Sequence, residues 1–435
     1  MRPFSPTAQR PWDRSAAGRL LRAAGFAPTP EEITRALDDG AAATVDRIVS
    51  EETPQSDRVR ELDELVDRIA AQNDIDALRG WWLLRMRHSS RPLRDRLTLF
   101  WMNHFATSDE KVQSASLMLG QMRTLERYAL GRFEEMVKAI SRDPAMIIWL
   151  DGDENVKGRP NENYARELFE LFTLGVGHYT EQDIKEAARA FTGWGQHRGR
   201  FRYSTLNHDG GLKTVFGDSG RFDGDDIVRL SLARPACSHF IGTKLIHEFI
   251  TPHPTRSLID SFARRLRETG FDILESMRTL LGSEAMFDPS HVRTRIKSPV
   301  EFVLGIARSL DLRIPATTLA EAVSNMGQPL FEPPSVAGWE GHRSWMNSAT
   351  MLVRLNTVAQ ALRNDAFEFA PQRMLNEYAL DTNDKIDRFA IELTLDGHAP
   401  ESLVRQLREV EVSDGPERLR TTLRMTMTAP EYQLV

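Results

Sequence analysis

Apolar residues return every three or four positions through almost the whole chain, a period that suits amphipathic helices packed on one another. Residues 57–71 show it most plainly: Val59, Leu62, Leu65, Val66 and Ile69 form one stripe between charged positions. Residues 92–105 repeat it with Leu93, Leu97, Phe100, Trp101 and Phe105. Start signals accompany the stripes. Thr29-Pro30-Glu31-Glu32 is a capping box with proline at the first helical position, and it predicts a helix that stops near Gly40. The same reading predicts helices over 114–130, 132–141, 161–173, 181–192, 224–234, 238–249, 255–268, 271–282, 299–311, 317–325, 345–363, 384–395, 400–409 and 416–428.

The expected fold class is therefore all-α: a compact multi-helix body over 1–435, with 1–110, 111–250 and 251–435 as candidate sub-units. One stretch breaks the helical period. In residues 199–217, GRFRYSTLNHDGGLKTVFG, Phe201 and Tyr203 alternate with polar residues before a turn at Asp209-Gly210-Gly211. That predicts one short β-hairpin or ordered loop, lying over the 161–173 helix. A second loop, 327–344, is punctuated by Pro329, Pro333, Pro334 and Gly338. Segments beginning at Phe133, Phe271 and Glu417 echo one another, each an amphipathic helix, a short polar break and a further apolar residue. Their irregular separation excludes a solenoid and marks a reused helical unit.

Composition narrows the function classes. A net charge of −6 disfavours a broad nucleic-acid-binding face. The single cysteine, Cys237, cannot form an intramolecular disulfide or a cysteine-based zinc site, and reads as a core residue. No apolar run is long enough to span a membrane as a helix, and the first residues lack the apolar core of a signal peptide. The chain is expected in the cytoplasm unless a partner carries it out. P-loop, dinucleotide-binding, kinase and serine-hydrolase signatures are all missing.

The candidate functional residues lie between Trp101 and Gly217. Trp101 and His104 stand three apart on one helix, so they share a face. In Asn161-Glu162-Asn163-Tyr164-Ala165-Arg166-Glu167, capping explains Asn161 and Glu162 but not Asn163, Arg166 and Glu170, a polar stripe beside Glu167. His208-Asp209-Gly210-Gly211-Leu212-Lys213 places an imidazole, a carboxylate and an ammonium in a glycine-rich loop. Lys244 and Lys297 sit in apolar surroundings, where pairing with Glu248 and Glu301 is the expected arrangement.

Together these motifs resemble a bacterial family known as domain-of-unknown-function family 1800. The resemblance rests on Leu20-Leu21-Arg22-Ala23-Ala24-Gly25-Phe26, Phe100-Trp101-x-x-His104-Phe105, Asn161-Glu162-Asn163-x-Ala165-Arg166-Glu167, Tyr179-Thr180-Glu181 through Thr192-Gly193-Trp194, His208-Asp209-x-Gly211-x-Lys213 and Gly338-Trp339. Ser335 departs from it, since the family often carries asparagine there. The resemblance implies a mostly helical protein and no particular reaction. It also suggests a companion similar to sulfatases and alkaline phosphatases.

Two functions follow as expectations. The first is an enzyme acting on a phosphate, sulfate or carboxylate substrate by hydrolysis or group transfer. His104, Glu167, His208 and Asp209 would be catalytic, either as ligands of a divalent transition metal or as metal-free acid–base groups. Trp101, Asn163, Arg166 and Lys213 would bind the substrate. The second is a non-catalytic helical escort of the sulfatase- or phosphatase-like companion.

Overall fold

Helices begin where the capping residues stand. In the computed structural model, which describes residues 1–50, 53–363, 367–412 and 414–435, Thr29 Oγ1 accepts the Glu32 N–H at 3.3 Å while Glu32 accepts the Thr29 N–H at 2.8 Å. Helix Pro30–Asp39 follows. The same reciprocal cap opens Glu181–Ala190, Gly224–Ala233 and Pro299–Ser309. Twenty-three α-helices are present among the described residues. One contiguous cluster of buried side chains runs from Leu20 to Tyr432. No helix among the described residues is long and apolar enough to cross a membrane.

The only strands among the described residues that form sheets make two hairpins rather than the expected one. β1 (Trp194–His197) pairs with β2 (Arg200–Tyr203), and β3 (Lys213–Val215) with β4 (Asp218–Gly220), both antiparallel. Their turns are Arg198-Gly199, with φ of 51° and 72°, and Phe216-Gly217, with φ of 53° and 90°. Two consecutive positive φ values make a two-residue hairpin turn, usually signalled by Asn-Gly or Asp-Gly. Arginine and phenylalanine gave no such signal. Asp209-Gly210-Gly211 lies between the hairpins instead, where the Gly211 N–H donates to Asp209 Oδ1 at 2.9 Å. β3 runs along helix Glu181–Ala190, with the Phe216 N–H on Asp183 Oδ1 at 2.7 Å. Contact with the 161–173 region comes from the Phe216 ring, 4.9 Å from that of Phe169.

Two of the echoed segments meet. The Phe133 N–H donates to Phe271 O and the Ile273 N–H to Gly131 O, both at 3.0 Å. The helices that start there bury the same pattern, Phe133, Met136, Val137 and Ile140 in one and Ile273, Ser276, Met277 and Leu280 in the other.

The buried ion pairs differ from the expected ones. Glu301 is held by Arg295 in a two-bond fork at 2.6 and 2.7 Å and by Arg96 at 3.0 Å, and Glu248 takes Arg96 at 2.5 Å. Arginine's planar fork claims these carboxylates. Lys297 lies over the Tyr432 ring at 3.5 Å, and burial pulls its pKa well below the usual lysine value. Lys244 also has a different partner, described next.

Candidate active site: a cleft lined by Lys244, with His104 behind it

Helix Pro235–Phe249 turns one face, Ala236, His239, Phe240, Thr243, Lys244 and His247, into a cleft of about 1300 Å³. These residues recur at intervals of one and three, so they line one side of the helix. The facing wall is Leu174-Gly175-Val176-Gly177-His178-Tyr179-Thr180. Gly175 and Gly177 have φ of 80° and 87°, and a Cβ on Gly175 would come within 3.0 Å of the Phe240 ring. The cleft is basic. Arg234, Arg256 and Lys244 line it against the single acid Asp183, beside the imidazoles of His178, His239 and His247, the last held neutral by burial. Asp183 is already occupied by Thr180 and the Phe216 N–H. Arg256 and His239 share Asp260, both at 3.0 Å, whereas the Arg234 guanidinium stacks 5.4 Å from the Phe216 ring centre.

The segment leading into this wall changes helical pitch. Asn163–Glu167 is α-helical, and Leu168–Thr173 is a π-helix whose end is closed by the Leu174 N–H on Phe169 O at 2.9 Å. The carbonyls of Leu171 and Phe172, near the end of the π-helix, receive side-chain donors. His104 Nε2 lies 3.0 Å from Phe172 O, so Nε2 carries the proton and donates. Nδ1 is left with its lone pair. Lys244 Nζ donates to it at 3.1 Å and to Leu171 O at 3.3 Å. His104 is buried among Phe100, Trp101, Phe105 and Phe172, and burial with the neighbouring lysine keeps it neutral. Lys244 rests 4.8 Å from the Phe240 ring centre, and burial brings its pKa down to about 8.

The other sequence-derived candidates are placed elsewhere or otherwise engaged. Trp101 is fully buried and donates to Ala129 O at 3.1 Å, a core role. Asn163 fastens the helix start, with Nδ2 on Leu150 O at 3.2 Å. Arg166 forks onto Glu181 at 2.7 and 2.9 Å and reaches Glu162 at 3.2 Å, on the surface. Glu167 is half-buried, and burial and Glu170 push its pKa up. His208 donates from Nδ1 to Thr192 O at 2.9 Å. Asp209 is clasped by Arg189 at 2.7 Å, which holds its pKa down at about 2.

Lys213 is not the exposed loop cation that its neighbourhood suggests. It is 1% exposed, and its ammonium donates to the carbonyls of Asp209 and Gly211. The loop is thus knitted to itself and to Arg189 and Thr192. Among the described residues, no three His, Cys, Asp or Glu side chains gather closely enough to hold a metal ion. His104, Glu167, His208 and Asp209 therefore do not form the ligand set considered for them.

A family model described as a protein of unknown function, DUF1800, matches residues 19–434. The chain belongs to the DUF1800 family. No curated protein and no solved structure matches it. Of the motifs that carry the family resemblance, Phe100-Trp101-x-x-His104-Phe105 meets the cleft through the bond between buried His104 and Lys244, which lines it. Tyr179-Thr180-Glu181 supplies part of its wall. The His208-to-Lys213 motif builds the braced loop beside helix Glu181–Ala190. The residue that completes the floor, Lys244, carried a usable signal in the spacing of Phe240, Thr243, Lys244 and His247. It was obscured because a lysine on an apolar helix ordinarily snorkels.

Proposed function

We propose that this DUF1800 protein is an enzyme that binds an anionic small molecule in the basic cleft and moves protons with Lys244 and His104. The carrying observation is the 3.1 Å contact from Lys244 Nζ to His104 Nδ1 at the floor of that cleft. A lysine with a pKa of about 8 is populated in both proton states near neutral pH, as a general acid–base group requires. His104 orients the amine, and Phe172 O fixes the tautomer that lets it do so. Capping of the π-helix carbonyls accounts for two of the bonds at this site. It does not account for a wide basic cleft in front of the amine. The substrate class is a phosphate, sulfate or carboxylate compound, and the reaction class is hydrolysis or group transfer. Relative to the sequence expectation, the acid–base pair becomes Lys244–His104, and Arg234 replaces Arg166 and Lys213 as anion contact.

Calorimetric titration with inorganic phosphate, sulfate and a series of carboxylates tests this reading. Binding of at least one class is expected, weakened about tenfold or more in Arg234→Gln and Lys244→Met, since each removes a charge-assisted contact. Unchanged affinity in both variants would overturn it.

A second reading, escort of a sulfatase- or phosphatase-like companion, draws on the hairpin region. Leu206 is 90% exposed and Leu212 is 67% exposed there, and exposed apolar side chains suit a protein partner. Loss of co-elution with that companion in Leu206→Asp/Leu212→Asp would support it, and unchanged co-elution, or none in the wild type, would count against it.

A further inference from the structure

Lys244 offers more than a proton. A lysine that only binds an anion stays charged and presents its three donors to the ligand. Here two N–H bonds are directed inward, to His104 Nδ1 and Leu171 O. Phe240 shelters the nitrogen on another side. In the neutral amine, those two bonds leave only the lone pair for the cleft that Lys244 lines. Desolvation in an apolar setting is one of the ways a lysine becomes a nucleophile toward carbonyl carbon. Arg234, with no carboxylate on it among the described residues, stands at the same cleft as a partner for a substrate carboxylate.

Resting on the reading of the cleft as a small-molecule site, we propose that Lys244 forms an imine with a small carbonyl compound that carries a carboxylate. The step balances without an oxidant or reductant. The Nζ lone pair attacks the carbonyl carbon, a C–N bond forms, and the carbonyl π electrons become an alkoxide. The nitrogen gives its surplus proton to the alkoxide by way of His104 Nδ1, which is neutral again afterwards, while Phe172 O holds the opposite N–H of the ring. The hydroxyl of the carbinolamine then leaves as water, taking the remaining N–H proton by the same route through His104, and a C=N bond remains. Overall, amine and carbonyl give imine and water.

The chain has only eight lysines, so the position of such an adduct is easily read. The full-length protein is incubated with pyruvate and cyanoborohydride in near-neutral buffer, and the reduced adduct is mapped by peptide mass spectrometry. With its pKa near 8, Lys244 has roughly a 300-fold larger neutral fraction than an ordinary lysine. Lys213 and Lys297, the other lysines whose pKa burial depresses, are 1% and 3% exposed and closed to the reagent. The expected result is an adduct on Lys244 at roughly tenfold or greater excess over every other lysine, lowered when acetone replaces pyruvate or when Arg234→Gln is used. Adducts distributed by surface exposure, or none on Lys244, would overturn the imine. If anions still bind as described above, that outcome leaves the proposed function standing. If anion binding fails as well, both fall. Because the decisive map is made on the wild-type chain, the folding of a variant does not enter the result.

Discussion

Replacing Lys244 by methionine removes the cleft's buried charge while keeping most of the side-chain volume. Burial brings the lysine from 10.5 to about 8 in the folded protein. Each pH unit of such a difference is worth about 1.4 kcal/mol, so holding the ammonium costs the fold roughly 3 kcal/mol at neutral pH. Because the side chain still touches the cleft, a discounted figure of ~2–3 kcal/mol is appropriate. Methionine removes that cost but also loses the bonds to His104 Nδ1 and Leu171 O, about 1 kcal/mol each. Near neutral pH the two proteins should therefore differ by less than about 1–2 kcal/mol.

The pH dependence separates them. Below the folded pKa both folded and unfolded chains hold the proton, and the cost is present in full. Between about 8 and 10.5 the unfolded chain binds a proton that the folded chain does not, so wild-type stability rises with pH. The stability of wild type minus that of Lys244→Met should be flat in mildly acidic buffer and climb by ~2–3 kcal/mol across that alkaline window. Urea unfolding of both proteins at a series of pH values, followed by far-UV circular dichroism, gives this difference directly. Parallel curves throughout would show an ordinary lysine and remove the physical basis for an acid–base role.

Three further substitutions test the surrounding structure. Lys213→Ala leaves the carbonyls of Asp209 and Gly211 without their buried donor and should cost ~2–3 kcal/mol, seen as a lower thermal midpoint; an unchanged midpoint would show that the lysine is not structural. Glu301→Gln leaves Arg295 with an uncompensated buried charge and Arg96 with Glu248 alone, and should cost about 3–5 kcal/mol in chemical denaturation, with a loss under 1 kcal/mol ruling out that account. Glu167→Gln should be neutral to slightly stabilising, within about 0.5 kcal/mol, because it relieves repulsion from Glu170; clear destabilisation would reveal a partner for its charge.

Much of the fold was legible because helix signals are local. Thr29, Thr180, Asp223 and Ser298 cap the helices they precede, and Val59, Leu62 and Val66 of the 57–71 stripe are buried as its spacing requires, although Leu65 of that stripe is 47% exposed. The hairpins were less legible because their turns place arginine and phenylalanine at positive φ, where tertiary contacts override turn preference. The site was half legible. His104 was singled out by its polar character on an apolar face, yet its partner lies 140 residues further along. Arg166 and Lys213 have the chemistry of anion contacts, but the first is neutralised by Glu181 and the second is enclosed by its own loop. Local sequence shows which groups a residue carries. It does not show which distant carboxylate or carbonyl has already taken them.

The π-helix from Leu168 to Thr173 has a mechanical consequence. Its widened turn presents the two carbonyls that hold His104 and Lys244, and its last residue leads straight into the Leu174–Thr180 wall. Floor and wall are thus one continuous piece of backbone. A change in the pitch of this turn would therefore act on the acceptors of both donors and on the start of the wall together. A ligand pressing on Gly175 or Val176 would in turn load the bonds that tune the amine, so that occupancy of the cleft and reactivity of its lysine share a single lever.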